Sequence, residues 1–383
     1  MFTCPTEDFI KTLDKVIGAI ERSTIQPILE HVLIEVADDH LTLIAADSHC
    51  HVRARLALSK GSRKGEQFCV AGSKLSSVLR SMISQSVSFR VAGSALHIQP
   101  AGAAKDDSRG FKLAIRPGEE FPRESVTHKP VAEIELEPAR LAGSITRLLP
   151  AISNEIHRLY LTGMYFDFTG EALRLVATDG HRMAVDELAQ IKTDKKFGII
   201  VPRKSIDLLR RVLTDAGSDK LRLVALADVE RTAAVRFEAG EVKITSVLVD
   251  ATYPDYLKVI PDKAAAQASF AAAELRDVIG QVATVLDRGN DAITMALESG
   301  RASLSARGAQ TSDEATLDMA ADYSGESRTI SFNGAYLTDM VKAFENREKI
   351  SIIFPKEKES ILCKTADAKE EDPLKYVLMP IKI

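Results

Sequence analysis

Two short runs in this chain hold residues of the types that do chemistry. His49, Cys50 and His51 are adjacent. On a strand the two imidazoles share one face and the thiol lies on the other, which is half of the ligand set a zinc ion needs. Asp179 and His181 flank Gly180, a spacing that could seat part of a proton-relay triad. Neither run has its missing member at a sensible spacing. The four cysteines, Cys4, Cys50, Cys69 and Cys363, form no CxxC pair and read as reduced thiols. No GxGxxG follows a strand, and GxxxxGKS/T, HExxH and GxSxG are absent. The expected roles are therefore structural: polar residues on a solvated strand end for His49 to His51, and a tight turn built by Asp179 and Gly180. No catalytic residue, metal or cofactor is expected.

The elements that position these runs come from an internal repeat. Phe9, Leu13, Val16 and Ile20 are spaced i, i+4, i+7, i+11. Leu141, Ile145, Leu148 and Ile152 repeat the spacing, and Leu275, Ile279, Val282 and Leu286 repeat it again. A second helical stripe recurs at intervals of 131: Leu75, Val78 and Met82, then Ile206, Leu209 and Leu213, then Leu337, Met340 and Phe344. These stripes predict helices over Thr6 to Ile20, Ala71 to Ile83, Pro138 to Ile152, Pro202 to Leu213, Ala273 to Leu286 and Asn333 to Phe344. Alternating apolar and polar runs fill the intervals and predict strands. Two of these runs match in letters, because Ala45, Asp47 and His49 precede Ala177, Asp179 and His181 by 132 residues. The fold class expected is α+β, with three similar domains of two helices plus antiparallel sheets. Boundaries near Thr127 and Pro261 give domains 1–127, 128–261 and 262–383.

With 383 residues, 45% of them apolar, the chain is long enough for several cores. No apolar stretch is long enough to span a membrane, and the acidic N-terminus does not resemble a signal peptide, so a cytoplasmic location is expected. A net charge of -4 excludes a generally basic nucleic-acid binder. The distribution is less even. The six predicted helices carry a net charge of +5, concentrated in Lys74, Arg80, Arg140, Arg147, Arg203, Lys204, Arg210 and Arg211, with only Asp207 opposing them. A repeated basic helical lining on an acidic body suits loose, sequence-independent contact with phosphates.

On these residues the chain resembles the bacterial sliding clamps, the beta subunits of DNA polymerase III. The specific matches are ATDGHRMAV (Ala177 to Val185), VPRK (Val201 to Lys204), YPDYLKVIP (Tyr253 to Pro261) and YVLMPIKI (Tyr376 to Ile383), in the family's order and along essentially the whole chain. The resemblance implies a non-enzymatic processivity factor, a head-to-tail homodimer whose six domains close a ring around double-stranded DNA. The partners implied are a second copy of the chain, the DNA polymerase III alpha subunit, the clamp loader delta subunit, and other polymerases and repair proteins carrying clamp-binding peptides. No membrane partner is implied. Two other readings are a divergent clamp paralogue with a restricted partner set, and a small-molecule enzyme using Asp179 and His181.

The resemblance also implies sites. Arg22, Lys74, Arg203 and Lys204 would face DNA, with Arg158 and Tyr160 near its path and beside a second peptide subsite. A pocket for peptides with hydrophobic ends would comprise Leu161, Thr178, Gly180, His181, Arg182 and Met183, then Pro254 and Val259, then Ser360, Val377, Met379, Pro380 and Ile381. Phe111 and Leu113 would form one dimer edge, after an enlarged loop at Gly102 to Ser108. Val285, Leu286, Asp313 and Glu314 would form the other. Two positions depart from the family pattern: Lys258 where many clamps carry arginine, and Leu159 where some carry an aromatic residue.

Overall fold

Six helices form where the repeated apolar spacing places them: α1 (Thr6–Ile17), α2 (Gly72–Ser81), α3 (Pro138–Leu148), α4 (Arg203–Asp215), α5 (Ala272–Val282) and α6 (Gly334–Ala343). The coordinates, a computed structural model, describe the chain apart from residues 22–24, 59–64, 103–109, 125–128, 216–219, 228–231, 262–263, 288–290, 309, 324, 356–359, 367–372 and 383. Arg22, the boundary at Thr127 and nearly all of the Gly102 to Ser108 segment lie outside the described residues. The core stripes are buried as the spacing requires: Phe9, Leu13 and Val16 on α1, Leu141, Ile145 and Leu148 on α3, and Leu275, Ile279 and Val282 on α5.

Five of these six helices stop short of the end of their stripes, while α4 runs past its own to Asp215. On α1 the helix stops before Gly18, where a Cβ would come within 2.6 Å of Leu208. After α3, Pro150 cannot donate a backbone hydrogen bond, so Leu149–Ala151 continue as one 3-10 turn that still buries Ile152. A similar turn, Ala283–Val285, ends the stripe after α5. Beyond α2, Ile83 is fully exposed.

The chain forms two compact units. The first comprises Met1–Ala142 and Lys204–Leu248, and the second Gly143–Arg203 and Val249–Ile383. The middle third of the sequence is thus shared between them. The first unit holds one twelve-stranded antiparallel sheet, in which Cys50–Ala57 pairs with Val242–Val247 and joins strands from the first and middle thirds. The second unit holds a nine-stranded sheet, in which Arg182–Ala189 pairs with Lys375–Leu378. A separate four-stranded sheet in that unit runs from Glu314–Ala320 at one edge to Arg328–Asn333 at the other. No helix among the described residues is long and apolar enough to cross a membrane.

Candidate functional site

The Asp179 run is a turn. The Asp179 Oδ1 accepts the backbone N–H groups of His181 and Arg182 at 2.9 and 3.0 Å, and Gly180 supplies the positive φ of +90° that closes the hairpin. A Cβ at Gly180 would come within 3.0 Å of the Arg158 guanidinium, so Arg158 and the turn are neighbours. His181 is exposed, and its ring lies 6.4 Å from that of Tyr336. The other run is equally structural. Burial and the Asp47 carboxylate push the Cys50 thiol up to about 12, which leaves it an unreactive core thiol.

Arg182 anchors the turn to three other segments. Only 8% exposed, its guanidinium donates to Asp179 Oδ2 at 3.0 Å, Asp339 of α6 at 2.7 Å, the Pro150 carbonyl at 2.6 Å and the Tyr376 hydroxyl at 3.4 Å. It also lies 4.3 Å from the centre of the Tyr336 ring. Burial works against the charge, but Tyr376, Asp339 and Asp179 outweigh it, so the guanidinium stays protonated. Such a buried cation is tolerable because nearly all of its donor directions are filled.

From this turn a row of side chains crosses the nine-stranded sheet. Thr178 lies opposite Met183, Met183 opposite Val377, Val377 opposite Leu362, and Leu362 opposite Ile353. Directly paired residues share a face, so these five form a strip. Met183, Val377, Leu362 and Ile353 are buried in one cluster with Tyr253 and Tyr256, and Tyr160 packs against it. Tyr165 stacks on Tyr253 at 4.4 Å, and Tyr256 donates to Asp167 at 2.7 Å, which holds the YPDY loop in place. The predicted pocket therefore has a floor of core residues: Leu161, Met183, Val377 and Ser360 are buried, while Pro254 is exposed.

The rim is apolar and open. Val259 is 47% exposed and Met379 46%, and Leu159 and Leu257 are likewise exposed. Backbone bonds fix the tail that carries Met379: its N–H donates to the His181 carbonyl at 3.0 Å, and the Ile381 N–H donates to Ser331 at 2.8 Å. Pro380 and Ile381 are half-buried between these bonds. Lys258, at the family's arginine position, is exposed and pairs with Asp255 at 3.0 Å. Leu362, Ile353, Tyr336 and Asp339 were not among the predicted residues. The strand alternation around Leu362 and Ile353 was a usable signal. Nothing local in the sequence links α6 to the turn.

The basic helices are more neutralised than their sequences suggest, and the reading that only Asp207 opposes them is corrected. Arg80 is paired with Asp14 at 2.5 Å, Arg147 with the buried Asp186, and Lys204 with Asp47 at 2.5 Å. Arg210 and Arg211 share Asp207. These acids come from other elements and, for Asp47, from a turn, except Asp207, and a per-helix count misses them. Two of the residues expected to face DNA also hold the fold: Lys204 donates to the Ala19 carbonyl at 3.1 Å, and Arg203 to the Ile152 carbonyl at 2.7 Å. Lys74 is exposed and pairs with no acid among the described residues.

The two strands predicted to form the dimer edges each have an open stretch among the described residues, as do other strands that end a sheet, such as Phe2–Pro5 and Arg328–Asn333. Phe111 to Ala114 pair with Ala95 to Ile98 on one side, while the neighbouring strand on the other side reaches only Ile115 to Pro117. Phe111 is 40% exposed there. Glu314–Ala320 ends the four-stranded sheet and, among the described residues, pairs on one side only. Asp313 and Glu314 are exposed at its start, and Val285 and Leu286 are half-buried.

Models of the N-terminal, central and C-terminal domains of the DNA polymerase III beta subunit match residues 1–125, 135–255 and 257–382. The beta sliding clamp of Pseudomonas putida is 29% identical over 385 residues, covering 100% of both chains. A crystal structure of the Pseudomonas aeruginosa sliding clamp bound to griselimycin superposes with a TM-score of 0.87 at 28% identity, covering 100% of this chain and 99% of that one. That of a Bartonella birtlesii sliding clamp, also bound to griselimycin, gives 0.88 at 27% identity with the same coverage. The chain belongs to the bacterial DNA polymerase III beta subunit family, the beta sliding clamps.

Proposed function

We propose that this chain is a processivity clamp that closes around duplex DNA as a homodimer and tethers partner proteins through the Met183 pocket. The observation that carries the reading is that the two stretches the family resemblance brings together, Phe111 to Ala114 in the first third and Glu314–Ala320 in the last, each lack a neighbour on one side among the described residues. An unpaired edge is a template for another strand, and two different edges on one chain favour a head-to-tail contact that a ring can close. Lys112 on one and Asp313 on the other carry opposite charge, while Glu314 and Asp318 already pair with Arg307 and Arg301 of the neighbouring strand. The three clamp domains would be 1–127, 128–261 and 262–383. Sedimentation is expected to give a dimer at micromolar concentration, and Leu113→Asp, which puts a charge into the edge, is expected to give monomer. A monomeric native chain contradicts the ring.

Among the basic residues, Lys74 is best placed for phosphate contact, since its ammonium is uncommitted. Lys74→Glu is expected to weaken retention on DNA and to reduce the slope of log K against log salt by about one. An unchanged slope removes Lys74 from the DNA path. Arg203 and Lys204 would contribute field rather than direct contact, because both already serve protein acceptors. For the pocket, the alpha subunit of the polymerase and the delta subunit of the loader are the partners of choice, each presenting a short segment with a hydrophobic end. An extended segment of that kind would place apolar side chains against the Val259 and Met379 rim. Methionine suits a slot that must accept several sequences.

A further inference from the structure

The first unit repeats the plan of the pocket in a second strip of its own sheet. Asp47 Oδ1 accepts the N–H groups of His49 and Cys50 at 2.7 and 2.6 Å, as Asp179 does for His181 and Arg182. The Val247 N–H donates to the His49 carbonyl at 2.8 Å, as that of Met379 donates to His181. Val247 is 44% exposed, almost the same as Met379. Phe121-Pro122 repeats Tyr253-Pro254, and Phe121 is buried against the strand residues beneath it, as Tyr253 is.

The row across the sheet is also repeated. Ala46, His51, Thr245, Arg236 and Val224 pair in turn, in the places of Thr178, Met183, Val377, Leu362 and Ile353. Three of the five exchange an apolar side chain for a polar one. Two of these polar groups are tied together and to the loop: Arg236 donates to Thr245 Oγ1 at 3.4 Å and to Glu124 at 3.4 Å. Glu124 stands where the YPDY loop has Tyr256. An apolar peptide end seated here would strip water and partners from these groups without replacing their hydrogen bonds.

We infer that His51, Thr245 and Arg236 are specificity-determining residues that keep this second strip closed to hydrophobic peptides and so limit the chain to one peptide site. The inference rests on the Met183 pocket being the peptide site. The probe is a short synthetic peptide ending in leucine and phenylalanine, titrated calorimetrically into the full-length dimer. The native chain is expected to bind one peptide per chain. The variant His51→Met, Thr245→Val, Arg236→Leu, Glu124→Tyr is expected to bind two, the second within about tenfold of the first. The reverse exchange, Met183→His with Val377→Thr, should weaken the native site about ten- to hundredfold, since it removes the apolar floor that buries the peptide end. This second variant decides the matter if the first does not fold. A native chain that binds no peptide overturns the pocket and the inference together. A native stoichiometry of one with a folded variant that still binds one overturns the inference alone, whereas reverse substitutions without effect overturn the Met183 floor and the inference together.

Discussion

Ending the chain at Leu378 is expected to weaken a peptide with a hydrophobic end by one to two powers of ten while the protein remains a dimer. The truncation removes Met379, whose exposed side chain forms one side of the rim, and the N–H groups of Met379 and Ile381 that bond His181 and Ser331. It leaves the strand Lys375–Leu378, so the floor residue Val377 keeps its pairing with Met183 and Leu362. Burying one large apolar side chain contributes about 1.5 to 3 kcal/mol, which corresponds to the stated loss of affinity. The open edges at Phe111 to Leu113 and Glu314–Ala320 contain none of the deleted residues. Calorimetric titration and sedimentation on the same sample check both halves. Equal affinity for the two chains would place the pocket elsewhere, and loss of the dimer would make the tail a structural element of the ring.

Replacing Arg182 by methionine is expected to destabilise the second unit by about 3 kcal/mol, because removing one member of a buried ionic cluster strands the others. Asp179 and Asp339 lose their shared counterion, and the Pro150 carbonyl loses its donor. For a unit of this size that is a fall of about 6 to 12 °C in melting temperature. Arg182→Lys should recover only part of it, since an ammonium cannot reach both carboxylates and the carbonyl with the fork geometry of a guanidinium. Peptide affinity should fall in parallel, because the residue after Arg182 is the floor residue Met183. Differential scanning calorimetry of the three proteins tests this. Equal melting temperatures for native and methionine variant would mean that the cluster adds nothing net to stability.

What was legible in the sequence was periodic. The stripes at Phe9, Leu141 and Leu275 predicted three equivalent helices, and the matching letters around Asp47 and Asp179 turned out to be two turns capped in the same way by an aspartate. Helix ends were less legible because glycine, proline and tertiary packing decide them: the stripe through Ile152 stays buried although the α-helix stops at Leu148. Several of the residues named by motif lie on or beside one strip of the nine-stranded sheet, but their division into buried floor and open rim depends on strand register, which local patterns do not specify. Charge was the least legible property. Lys204 and Asp47 are far apart in sequence, as are Arg147 and Asp186, and such pairs convert an apparently bare basic helix into a largely compensated one. Arg182 shows the same limit, since Asp339 and Tyr376 come from segments more than 150 residues away.

The central claim is that the protein holds DNA by enclosing it, not by gripping it. The sparse uncommitted positive charge on the helices fits that claim: a ring needs only weak phosphate contacts to slide, whereas a conventional binder needs many. The most direct measurement loads the protein, with a clamp loader and ATP, onto nicked circular duplex, then follows retention by gel filtration at high salt before and after a single cut linearises the DNA. Enclosure predicts that the protein stays on the circle at salt concentrations that abolish phosphate contacts, and runs off the ends once the circle is cut. Equal retention on circular and linear DNA, or loss from both as salt rises, would contradict it.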